Sequence, residues 1–280
     1  MRRHGLTLLA ALLFIGLLTL SWMDWLDSYT QLVLMFIGVN IILSASLNLI
    51  NGYMGEFSCG HAGFMAVGAY VSSLLSVWLF AEGSPLGANF LSPQWVIFFF
   101  PFILLAGGLA AALAGLMVAI PSFRTRGDYL AIITLAALYI IKSAIENIQV
   151  IGGARGFMGM TRVVNSMTDF LNWPWMMTWV GIGVYLSILL IQRFVSSTYG
   201  KGILAIREDE LAAEIMGVNT HKAKMVAFMF SSGLAGLAGG LFAHILGYIN
   251  PGSFTILKST EVMVMVYLGG MGSLSGSVLS

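Results

Sequence analysis

The sequence predicts an all-α polytopic membrane protein, a single unit over residues 1–280 with about eight transmembrane or partly broken helices. Three observations predict it. Hydrophobic residues make up 58% of the chain and charged residues 9%. Soluble domains average about 25% charged residues, and a soluble fold of this length could not solvate its surface with so few. Apolar stretches of roughly 20 residues, enough to cross a bilayer as a helix, recur along the chain. The Lys and Arg residues gather on one side of the resulting alternation, as they do in cytoplasmic loops.

The expected spans are residues 6–22, 29–50, 59–80, 95–120, 129–149, 173–194, 224–247 and 259 onward. The first follows Arg2 and Arg3 and has the look of a signal peptide. It lacks a small-x-small cleavage site, and Trp22 and Trp25 beside Asp24 suit an interfacial anchor, so it is expected to be retained. With the N-terminus in the cytoplasm, nine of the thirteen basic residues fall inside, among them Arg124, Arg126, Lys201, Arg207, Lys222 and Lys224. Arg155, Arg162 and Lys258 fall outside, and Lys142 lies within a span. The longest inner loop is then 195–223 and the longest outer loop 151–172.

Net charge is +1, which gives no pull toward nucleic acid. Cys59 is the only cysteine, so an internal disulfide and CxxC motifs are excluded. HExxH, GxSxG and GxxxxGK[ST] patterns are absent. No metal site or cofactor is expected on this chain. Without a phosphate loop, any ATP-driven work needs an ATPase on another polypeptide.

The inner loop holds the most charged run, R-E-D-E-L-A-A-E-I-M-G at 207–217, with Arg207, Glu208, Asp209, Glu210 and Glu214. Acidic groups in a first helical turn favour the dipole, and Gly217 can end the helix in a left-handed conformation. Ala212, Ala213 and Met216 give it a small-residue face. A charged helix held between segments that must enter the bilayer is either a solvated connector or a docking point for a soluble partner, and spacing alone leaves both open.

Glycines break a second stretch. Gly52, Gly55, Gly60, Gly63 and Gly68 punctuate residues 52–70, which also hold Ser58 and His61, after a span flecked with Asn40, Ser44, Ser46 and Asn48. Each glycine weakens a continuous helix by about 1 kcal/mol relative to alanine. Broken backbone at membrane depth is tolerated only where protein or a water-filled cavity covers it. The run is therefore a tight turn, a close packing of helices through small residues, or a discontinuous helix lining a pathway. Gly52-x-Met54-Gly55-x-Phe57-Ser58 is echoed by Gly269-x-Met271-Gly272-x-Leu274-Ser275, with Gly270 inside the echo. Paired glycine-interrupted segments in corresponding halves point to a transport site. Lys142 and Glu146 are expected to form an i, i+4 ion pair, Glu261 to sit at the outer interface, and His61 and His244 to serve in packing rather than as metal ligands.

Three segments together resemble the permease subunits of branched-chain amino acid ABC importers of the LivM type. Residues 52–70 match the family's G-x-x-G-x-x-S-x-G-H-x-x-F-x-x-x-G-A-Y at every fixed position. Residues 126–135, followed by Gly152, Gly153 and Gly156, resemble its R-G-D-Y-x-A-I-x-T-L and glycine-rich outer loop. Residues 205–219, with Ala227, Phe228 and the Ala235–Gly239 run, resemble its coupling loop. The resemblance implies an ABC importer permease fold in a bacterial inner membrane. It implies pairing with a second homologous permease, two cytoplasmic ATPases that hold the ATP and Mg, and a periplasmic substrate-binding protein. It implies that 195–223 couples to the ATPase, with Glu210, Ala212, Ala213 and Gly217 making the contact. Gly52, Gly55, Ser58, Gly60, His61, Gly63, Gly269 and Gly270 are then candidates for the translocation pathway. The family pattern continues past G-G-x-G-S-x-x-G with a further apolar segment, so a truncation at Ser280 is expected. Urea or short amides are alternative substrates on such a scaffold. A lone ion-coupled secondary transporter would draw on the glycine echo and the Lys142–Glu146 pair. A membrane enzyme is poorly supported, because no nucleophile–base pair stands out.

Overall fold

The computed structural model describes residues 25–80, 95–123, 129–170 and 173–280, together with 16, 19, 21 and 92. The expected first span at 6–22 lies outside them apart from positions 16, 19 and 21. In chain order the helices are α1 (Ser28–Asn48), continued by a π-helical turn Leu49–Met54, then α2 (His61–Phe80), α3 (Val96–Ser122) and α4 (Tyr129–Asn147). After them come α5 (Met160–Phe170), α6 (Trp175–Ser196), α7 (Thr198–Glu208) and α8 (Glu210–Ile215). The chain continues with α9 (Thr220–Leu246), α10 (Ile256–Gly269) and α11 (Leu274–Leu279). Among the described residues, six spans are long and apolar enough to cross a membrane: α1 with its π turn, α2, α3, α4, α6 and α9.

Helix α9 is the centre of the bundle and packs on α1, α2 and α3. Its small residues make this possible, because helices in lipid associate by close van der Waals contact rather than by hydrophobic burial. A methyl group at Gly68 of α2 would strike the backbone of Gly236 in α9. The helices also share buried hydroxyls: Ser231 donates to the Ser46 carbonyl at 2.5 Å, and Ser46 lies 2.7 Å from His61 Nε2. By contrast α3 turns Phe98, Phe102, Leu105, Leu109, Leu113 and Met117 outward, an exposed apolar stripe suited to lipid.

One end of the bundle is closed by a small ribbon. Strands β1 (Phe157–Met158) and β2 (Tyr248–Ile249) pair antiparallel with Phe157 opposite Ile249. Helix α5 buries Met160, Val163 and Met167, one face at helical spacing.

The stretch expected at 59–80 is present as the span His61–Phe80, but it does not start level with the end of α1. His61 stands beside Ser46, eight residues back along α1 from Met54. At 1.5 Å per residue, α2 therefore starts about 12 Å up from the end of α1. The loop 55–60 re-enters the bundle to get there. The stretch expected as a span from 259 is corrected, because it is not one helix. Helix α10 has 14 residues, the chain turns through Gly270 and Gly272 at φ 92° and 77°, and α11 runs back along α1. Asn48 fixes this hairpin by accepting from Gly272 N (2.9 Å) and donating to Ser273 O (3.0 Å) and Ser277 Oγ (2.7 Å). The loop 195–223, expected on the inner side, is mostly helix, formed by α7, α8 and the start of α9.

Candidate functional site

The exposed corner formed by α7 and α8 is built by local capping. Ser197 caps α7, and its hydroxyl accepts from Gly200 N. Asp209 is extended and closes α7 while its carboxylate accepts from Ala212 N at 3.0 Å, so one residue turns the chain from α7 into α8. Gly217, at φ 87°, ends α8 with bonds from Gly217 N to Glu214 O (2.9 Å) and Val218 N to Ala213 O (3.0 Å). These two bonds make a Schellman motif. Asn219 then caps α9 through Lys222 N at 2.9 Å.

On α8 and its C-cap, Leu211, Ile215 and Met216 are 66%, 84% and 84% exposed, and Glu208, Asp209, Ala212, Glu214 and Gly217 are exposed around them. Ala213, expected on the contact face, is buried and packs inward. The outward face of the helix is therefore apolar in its middle, which reading the run for its charges overlooked.

Behind α8, Lys224 sits between two carboxylates, 2.6 Å from Glu56 Oε1 and 2.9 Å from Glu210 Oε1. Glu56 belongs to the re-entrant loop, so a single ammonium ties α8 to the segment that carries α2 into the bundle. Arg207 adds a second tie. A methyl at Gly55 would come within 3.0 Å of Arg207 Cγ, and one at Gly272 within 3.0 Å of Arg207 Nη1. Both glycines adopt φ 77°. They are corresponding positions of the sequence echo, and the two echoed turns close on the same arginine.

The other candidate pathway residues are buried or half-buried. Ser58, His61, Gly60 and Gly63 are buried within the subunit. A methyl at Gly60 would strike the Thr134 carbonyl, and one at Gly63 would reach Leu138 Cα at 3.0 Å. They let α2 approach α4 closely and face no open space. Gly52 is also buried, against Asn48 and Gly272, while Gly269 and Gly270 are half-buried, with Gly269 against Gly276. The hydroxyl of Ser58, Asn51 Nδ2 and His61 Nδ1 are buried with no hydrogen-bond partner.

Lys142 pairs with Glu146 at 3.7 Å as expected. His244 is a packing residue, with Nδ1 donating to Gly240 O at 2.8 Å and Nε2 at 2.9 Å from Ser76 Oγ. Among the described residues no group of His, Cys, Asp and Glu is arranged to hold a metal ion. Lys258 and Glu261 are not interfacial. Lys258 reaches Asn40 Oδ1 (3.3 Å), midway along α1 and its π turn, and Glu261 Oε2 (3.1 Å). A charge at that depth costs about 2.5–3.5 kcal/mol on insertion scales. The polar Asn40 within an apolar span was the available signal for this cluster.

The profile of the branched-chain amino acid transport system permease component family matches residues 29–280, and the chain belongs to that family. The high-affinity branched-chain amino acid transport system permease protein LivM of Escherichia coli strain K12 is 30% identical over 99% of this chain and 67% of its own length. Its Salmonella typhimurium counterpart is 31% identical over 86% of this chain, which spans 59% of that relative. The probable branched-chain amino acid transport permease protein LivM of Methanocaldococcus jannaschii is 26% identical over 89% of this chain and 77% of its own length. No solved structure matches the chain. The chain is a multi-pass membrane permease component.

Proposed function

We propose that this chain is the membrane-spanning subunit of an ATP-driven importer that moves branched-chain amino acids into the cytoplasm, and that α8 receives the stroke of a separate ATPase. The observation that carries this reading is the linkage from Glu210 through Lys224 to Glu56, with Arg207 against the Gly55 and Gly272 turns. It joins an exposed helix to both broken helices of the bundle. Leu211, Ile215 and Met216 are the anchors that enter a groove of the ATPase, and Glu208, Asp209 and Glu214 form a rim for its basic groups. Ala213 positions the helix from behind. Closure of an ATPase dimer then pushes α7 and α8 as one body and rocks α1, α2 and α10.

The ATPases hold ATP and Mg, and this chain has no phosphate loop of its own. A second homologous permease completes the pathway, and a periplasmic binding protein delivers the substrate. The substrate class follows the names of the relatives, and the inner-membrane location with a cytoplasmic N-terminus follows the bias of basic residues toward the α8 side.

The test is reconstitution of the chain with its second permease, ATPases and binding protein in vesicles. Leucine uptake should require ATP. Ile215→Asp should lower uptake and substrate-stimulated ATP hydrolysis together by about tenfold or more, as loss of an apolar anchor does. Uptake that follows an ion gradient without ATP would overturn the proposal.

A further inference from the structure

Lys258 and Glu261 lie where a spanning chain rarely carries charge. Asn40, which accepts from Lys258, is twelve residues into the span Ser28–Met54. At 1.5 Å per residue the cluster is about 18 Å from one end of that span and about 21 Å from the other, near mid-membrane. It is not enclosed. The Glu261 side chain is 50% exposed and that of Lys258 18%. The open face of α10 continues through Leu257, Thr260, Val264, Tyr267 and Leu268. Unlike the all-apolar stripe of α3, this face carries a carboxylate at mid-depth. Such a group faces a water-filled path or another protein, not lipid. Helix α10 also begins here, and its N-cap Thr255 makes no side-chain capping bond, so the positive end of the helix opens on the same spot.

We propose that Asn40, Lys258 and Glu261 form a mid-membrane station that reads the zwitterion of an α-amino acid. This rests on the transport reading above and deepens it. Lys258 and the α10 N-terminus take the substrate carboxylate, while Glu261 and Asn40 Oδ1 take the ammonium. Between substrates the two side chains neutralise one another, and the incoming zwitterion exchanges one ion pair for two. No net charge enters the bilayer at any stage. An amine or a carboxylate alone leaves one member of the pair without a counter-ion, which disfavours it. The apolar side chain of the substrate lies along Leu257, Val264 and Leu268.

The experiment uses the assembled transporter in vesicles with Thr260→Cys, a small change on the open face that leaves the pair intact. A charged, membrane-impermeant thiosulfonate should modify the new thiol, read by mass spectrometry of the peptide spanning position 260 against the parent chain. Leucine delivered by the binding protein should slow the modification several-fold. Adding Lys258→Met should abolish the protection and lower leucine uptake by about tenfold or more, the scale of one lost hydrogen bond to a charged group. A thiol that only a lipid-soluble maleimide reaches overturns the station. So does a thiol that leucine leaves unprotected while the parent transports leucine. A parent transporter that takes up no leucine instead removes the transport reading beneath it. The Thr260→Cys arm decides the matter even where Lys258→Met fails to assemble.

Discussion

Lys224 places one ammonium between two carboxylates with only 9% of its side chain exposed. Lys224→Met leaves Glu56, itself 22% exposed, without a counter-ion. The expected loss is about 1–3 kcal/mol, seen as a lower unfolding temperature of the detergent-solubilised chain. Glu210 is half exposed, so Glu210→Gln should cost under about 1 kcal/mol of stability while still weakening coupling between ATP hydrolysis and uptake. Two glycines separate backbone strain from contact. At Gly217 an added methyl meets nothing within 4 Å, so Gly217→Ala carries only the left-handed penalty of about 1–2 kcal/mol. Gly55→Ala carries the same penalty and also presses on Arg207, so it should lower the unfolding temperature further and reduce uptake more. Gly217 was legible in the sequence because a glycine after an acidic helix is a recognised stop. The Lys224–Glu56 pair was not, because 168 residues separate its members and no periodicity connects them.

Among the elements, the long spans were legible because roughly 20 apolar residues leave few alternatives to a crossing helix. The re-entrant loop was legible only as one of several readings of its glycine run, and the α10–α11 hairpin was not legible. Hydropathy averages over a window, and a turn made of glycines with apolar neighbours reads the same as a helix. The glycine echo marked both breaks, but only packing shows that Gly55 and Gly272 close on Arg207. The glycines of α2 and α9 were legible as small residues and not as a specific contact. Gly68→Val should lower the unfolding temperature by an amount corresponding to about 1–3 kcal/mol of overpacking, because the Gly236 backbone occupies the space.

For the whole molecule, α8 and the β-ribbon lie at opposite ends of the spans, since α9 runs from Lys224 beside Glu210 to Gly247 just before β2. Met158, 69% exposed in the ribbon, and Ile215, 84% exposed on α8, are suited to report sidedness. Met158→Cys should react with an impermeant maleimide in intact cells. Ile215→Cys should react only in inverted vesicles, and the reverse pattern would invert the proposed orientation. The hairpin also bears on how the chain is made. Fourteen residues of α10 reach about 21 Å, short of the roughly 30 Å hydrocarbon core, and they carry Lys258 and Glu261. Such a segment is held at depth by docking on α1, not by its own partitioning. The dependence is mutual. Asn48 enters the membrane with α1, yet its partners Gly272, Ser273 and Ser277 leave the ribosome 224, 225 and 229 residues later. Biogenesis therefore has a built-in wait, during which an early helix carries an amide whose partners in the hairpin have not yet been made.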